Sequence, residues 1–229
     1  MRILLIGEYS NVHATLAEGL RALGQQVTVV SNGDFWKDYP RDIDLSRRPG
    51  KWGGLAYLAK TMATLHKLRG YDVVQLINPM FLELKAERIA PIYKYLRKHN
   101  KKVFLGAFGM DYYWVHENIT RMPLRYSDFN IGNRLRNDEP AMRERRDWIG
   151  TAKESLNKMI AEDCDGIIAG LYEYWACYGP LFPHKTTFIP FPIKPKTQPM
   201  AYQEGSAPHP LRLFIGISKG RSAYKGTDI

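Results

Sequence analysis

Cysteine is scarce in this chain: Cys164 and Cys177 are the only two, with no histidine at ligand spacing from either. That argues against a disulfide framework and a Cys/His zinc site, and it predicts a reducing, cytoplasmic setting. No apolar run approaches the ~18 residues that a membrane span needs. The opening MRILLIG is too short for a signal peptide's apolar region, and no small-residue cleavage site follows it. Phosphate-loop glycines are missing as well. Gly7 is followed by Tyr9 and Val12 where a dinucleotide fingerprint needs glycine, and no G-x-x-x-x-G-K-[ST] occurs. A conventional NAD site is disfavoured and a P-loop NTPase excluded. Acidic residues are in the minority, 23 against 33 Lys and Arg, for a net charge of +10. Such a balance suits anionic partners: nucleotides, phosphosugars or acidic lipid headgroups. Nucleic acid is not expected, because Asp138, Glu139, Glu144 and Asp147 interrupt the run of arginines from Arg134 to Arg146.

What is present is an alternation of short β-rich runs and longer helical stretches, which predicts an α/β, Rossmann-like doubly wound parallel sheet. Strands are expected at Ile3–Ile6, Val27–Val30, Val73–Ile77, Lys102–Leu105, Gly166–Ala169 and Thr186–Ile189. The first reads as buried on both faces, because it does not alternate. Helices are expected at His13–Leu23, Leu55–Leu68, Leu82–His99 (interrupted or kinked at Pro91), Asp147–Asp163 and Tyr172–Tyr178. Phe35 to Gly50 reads as a polar connection, and Met110 to Arg146 as a long irregular loop. Prolines from Pro190 to Pro210 read as an interdomain linker. The expected organisation is a domain over 1–190, a linker over 191–210, and over 211–229 the first strand and loop of a second, truncated domain.

In an open parallel sheet, ligands bind beyond the carboxyl ends of the strands, which directs attention to the loops at Gly7, Ser31, Asn78, Gly106 and Gly170. In the first loop, Tyr9, Ser10 and His13 can hydrogen-bond a sugar, while Ser10 or Asn11 can equally cap the following helix. The fourth strand opens into Gly106-Ala107-Phe108-Gly109-Met110-Asp111-Tyr112-Tyr113-Trp114. Asp111 is the candidate catalytic acid. Tyr112 and Trp114 offer flat faces to the C–H surface of a sugar, or they simply cover the sheet end. The stretch from Leu82 to Lys102 sets seven cations against two acids, with Tyr93 and Tyr95 among them. That is compatible with an anionic membrane surface, and equally with an ordinary solvated helix face.

Three segments carry a family resemblance. RILLIGEYSNVHATLAEGLRALGQQVTVVS resembles the opening of retaining GT-B glycosyltransferases of the family 4 type. DGIIAGLYEYWACYG followed by KTTFIPFPI resembles their fifth strand and the crossover into the linker. LRLFIGISKGRSAYKGTDI resembles the first strand and basic loop of their donor domain. The resemblance implies a metal-independent enzyme without cofactor, which transfers sugar from a nucleoside-diphosphate sugar to a glycan or lipid-linked acceptor. It places Lys225 at the family's lysine, with Arg221 as its preferred partner and Gly7 beside them, on the donor diphosphate. Tyr9, Ser10, His13, Tyr112 and Trp114 would then face the acceptor. The first loop departs from the family's frequent Gly-Gly pair, and Asp111 stands where many members have a histidine, with His116 five residues later. The family's donor-side Glu-x7-Glu pair would lie past Ile229, so the resemblance implies that this chain alone is inactive. A sugar-nucleotide epimerase of the same architecture and a non-enzymatic nucleotide- or phosphosugar-binding module are the competing expectations.

Overall fold

The computed structural model describes residues 1–194. One compact unit spans Met1–Pro192. It is built on a seven-stranded sheet of β1 (Arg2–Ile6), β2 (Gln26–Ser31), β3 (Ile43–Asp44), β4 (Val73–Leu76), β5 (Lys102–Ala107), β8 (Gly166–Ala169) and β9 (Thr186–Phe188). The order is β3-β2-β1-β4-β5-β8-β9, and every neighbouring pair is parallel. β6 (Asn130–Ile131) and β7 (Arg134–Leu135) form a small separate hairpin. The architecture is the expected α/β doubly wound one.

The strands show why. In β1, Leu4 and Ile6 join a large cluster with Val74, Leu76, Val103 and Leu105, while Ile3 and Leu5 join a smaller one. Side chains alternate across the pleat, so a strand apolar at every position from Ile3 to Ile6 must be covered there on both faces. Helix α1 (Val12–Ala22) covers the smaller cluster through Leu16, Ala17 and Leu20. The larger one packs under α2 (Gly50–Thr64), α3 (Ala86–His99) and α6 (Ala152–Asp163), through Tyr57, Ile89, Ile92, Leu96, Leu156 and Ile160.

Four expectations need correction. The polar connection holds a short strand, β3, because Asp42 and Leu45 amides bond the carbonyls of Val29 and Ser31. α2 begins at Gly50 and α3 at Ala86, and α3 continues through an exposed Pro91. The stretch expected to be irregular contains α4 (Tyr112–Thr120), the hairpin and α5 (Glu139–Trp148). Its signals are caps: Asp111 accepts from the Trp114 amide, and Asp138 accepts from the Ala141 amide. Finally, the single helix expected over Asp147–Asp163 is two. Gly150, at φ +70°, ends the first, and the Thr151 hydroxyl caps α6.

Candidate functional site

The strand order reverses between β1 and β4, so a crevice opens where the loops after them diverge. A cavity of about 130 Å3 lies there, against the carboxyl ends of β1, β2 and β4. Its polar lining is Glu8, Tyr9, Ser31, Asn32, Tyr57 and Glu83, over an apolar floor that includes Ile77 and Phe81. A second cavity of about 480 Å3 shares Met80 and Glu83 with it and extends to Thr151–Lys153 at the start of α6.

Polar groups around the small cavity are held by one another. Asn32 Nδ2 donates to Glu83 Oε1 at 2.5 Å, and the Glu83 amide donates to the Tyr57 hydroxyl at 3.1 Å. Burial pushes the Tyr9 phenol up to about 12, against the neighbouring amide of Asn78. Asn78 is itself buried, and its Oδ1 has no hydrogen-bond partner among the described residues. Asp34 anchors the rim, where Oδ2 accepts from the Ser10 amide at 2.9 Å and from Lys37 Nζ at 2.6 Å.

Glu8 occupies the amides at the start of α1. The amides at a helix N-terminus after the first strand are where this fold ordinarily receives phosphate. Here the chain supplies its own anion. Glu8 Oε1 accepts from the His13 amide at 3.2 Å, and Oε2 from the Ala14 amide at 2.8 Å. Glu8 is 3% exposed, and burial raises its pKa against the lowering effect of those amides. Neither Ser10 nor Asn11 caps α1 with its side chain; both adopt left-handed backbone, at φ 52° and 69°.

The structure separates the remaining sequence candidates. Gly7 is fixed by geometry: its φ is +87°, and a Cβ there would lie 2.2 Å from Ile77 Cγ2. Its amide donates to the Val30 carbonyl, and its own carbonyl receives His13 Nδ1 at 2.7 Å. No Gly7 backbone group is left pointing at a diphosphate. His13 is fully buried, with Nε2 3.2 Å from Gln75 Nε2. The ring therefore carries its proton on Nδ1, and burial depresses its pKa to about 4. Ser10 is exposed at the rim and Tyr9 lines the cavity.

Asp111, Tyr112 and Trp114 face inward, with 0%, 5% and 7% exposure. Asp111 Oδ1 accepts from the Trp114 amide and Oδ2 from the Tyr178 hydroxyl, both at 2.8 Å. Burial pushes its carboxyl up to about 7. Trp114 donates from Nε1 to Asp128 and packs edge-on against Tyr174. Tyr112 stacks on His116 under the Lys158 ammonium. These aromatics cover the sheet end, leaving no open ring face for a sugar. Arg221 and Lys225 lie outside the described residues, as does the strand expected from Leu211.

Two lining residues escaped the sequence reading. Tyr57 reads as one more apolar position of a helix, although its place in a buried Gly53/Tyr57/Thr61 stripe turns its hydroxyl toward the Glu83 amide at the cavity. Glu83 reads as the first turn of α3, but that helix starts three residues later. Among the described residues, no group of three or more His, Cys, Asp and Glu is placed to hold a metal. No family model, no curated protein and no solved structure matches this chain.

Proposed function

We propose that this chain is the acceptor-side part of a nucleotide-sugar-dependent glycosyltransferase, acting on a glycan or lipid-linked acceptor of cell-surface polysaccharide synthesis. The observation that carries the reading is the crevice at the strand-order reversal, lined with hydroxyl-binding groups and closed to phosphate by Glu8. Carboxylates repel a phosphate and accept from a sugar hydroxyl, and tyrosine and asparagine complete a neutral polyol site. A doubly wound domain whose own phosphate position is occupied by a side chain suits the acceptor half of a two-part enzyme.

In this reading Tyr9, Asn32, Tyr57 and Glu83 hold the acceptor. Asp111 acts as a positioning residue that anchors the start of α4. The donor diphosphate falls to Arg221 and Lys225 on the strength of the family resemblance alone. A guanidinium and an ammonium there would neutralise the charge that develops as the anomeric bond breaks.

The test is nucleoside-diphosphate release from UDP-, GDP- and ADP-sugars by the longest natural polypeptide that contains this sequence, with mixed glycan acceptors. Release from one donor, slowed by Tyr57→Phe through a raised acceptor KM, is the expected result. If no donor gives release, while the 229-residue chain binds free nucleotides, the transferase reading gives way to that of a nucleotide-binding module.

A further inference from the structure

Helix α2 is amphipathic in an unusual sense. The face it packs against the sheet is narrow and partly polar: Gly53, Tyr57, Thr61 and Thr64. Its other side carries Trp52, Leu55, Ala56, Ala59, Met62 and Ala63, all exposed and at helical spacing. Trp52 is 83% exposed, Leu55 56% and Met62 53%. A contiguous apolar stripe turned to solvent signals a surface that meets something.

The charge around it says what. From Leu45 to Tyr71 there is no acidic residue, while Arg47, Arg48, Lys51, Lys60, Lys67 and Arg69 are all cationic. Lys60 reaches Asp44 at 3.2 Å, but Arg48, Lys51, Lys67 and Arg69 have no acidic partner among the described residues. An exposed aromatic pair lies in the turn between β2 and the edge strand β3, where Phe35 lines the same small cavity as Tyr57 of α2. The single 3-10 turn after β2 exposes Phe35 (65%) and Trp36 (87%), with Phe35 in left-handed backbone at φ 59°. A bulky residue held in that region is strained, and such strain clusters at functional sites.

We propose that α2 and the turn at Phe35–Lys37 form a docking surface for an anionic lipid bilayer. Tryptophan and leucine enter the headgroup region, and the flanking cations meet the negative surface. A second copy of this chain is a poor occupant, because like-charged stripes would oppose one another. α3 is poorer in what a membrane needs. Tyr93 is buried against Asp163, Arg97 is tied to Asp163 and Asp165, and Lys101 to Asp72. The surface borders the small cavity, whose lining includes Phe35 and, from the opposite face of α2, Tyr57, but the argument for it does not use the sugar-transfer reading.

The experiment is co-sedimentation of the whole 229-residue chain with vesicles of phosphatidylcholine alone, or with a third of phosphatidylglycerol. Binding to the anionic vesicles is expected, with a blue shift of tryptophan emission and weakening in high salt. The double variant Trp52→Gln, Leu55→Gln should bind on the order of tenfold more weakly. Lys94→Glu, Lys98→Glu on α3 should change little. Circular dichroism melting, unchanged in both, would show that folding is intact. Failure of the wild-type chain to bind anionic vesicles, or equal binding by the α2 variant, overturns the proposal. So does a dimer in sedimentation equilibrium that the α2 variant abolishes.

Discussion

The Tyr178 hydroxyl donates to Asp111 Oδ2 at 2.8 Å, between two residues with no exposed surface at all. Asn157 extends the contact: its Nδ2 donates to Tyr178 at 3.1 Å, and its Oδ1 accepts from the Tyr112 amide at 3.0 Å. One acid thus ties together the start of α4, the middle of α6 and the end of α7 (Tyr172–Tyr178).

Burial holds that acid near 7, above its ordinary 3.8, so the fold retains a proton that the unfolded chain releases. The Asp111 contribution is fully present below about pH 4 and is lost as pH rises through 7, a change on the order of 4 kcal/mol. Urea denaturation across that range should show Asp111→Asn losing less stability than the wild type as pH rises. Parallel curves would sink the assignment.

His13 works in the opposite direction. Its folded pKa is depressed from 6.5 to about 4, so the unfolded chain binds the proton first. Stability from the neutral ring is complete above pH 6.5 and drains away as pH falls toward 4. Ring 15N shifts should place the proton on Nδ1, with no titration near 6.5. Ordinary titration there would mean that the ring is not enclosed.

Replacing Glu8 with alanine strips the cap from α1 and should cost about 1–2 kcal/mol. It also frees the His13 and Ala14 amides. Pyrophosphate should then raise the melting temperature of the variant and leave the wild type unmoved. No difference between the two would mean that the carboxylate does not keep phosphate out.

Gly7→Ala combines left-handed backbone with a methyl 2.2 Å from Ile77 Cγ2, so a loss of about 3 kcal/mol or insoluble expression is expected. A variant as stable as the wild type by chemical denaturation would contradict the described geometry of that turn.

The sheet was legible in the sequence because β1, β2, β4 and β5 are near-continuous apolar runs, and burial on both faces leaves no alternation to mislead. β3 was not legible: with two residues, its pairing depends on β2 more than on its own side chains. The caps Asp111 and Asp138 were visible as letters, yet one reads as readily as a catalytic acid. Only burial separates those roles, and burial is a tertiary property. The same holds for Glu8, which sequence places in a ligand loop and the fold turns back onto its own helix. Tyr57 and Glu83 reach the cavity from elements that sequence reading began five residues late and four early.

The Asp111–Tyr178 bond joins residues 67 positions apart, so making it requires the intervening chain to close first. Contacts of that separation are costly to nucleate, whereas β1, α1 and β2 lie next to one another along the chain. The amino-terminal unit is therefore the expected early structure, with the aspartate network sealing the molecule afterwards. Mutations in the network would then accelerate unfolding far more than they slow folding. Asp111 would act as a latch on the lifetime of the native state.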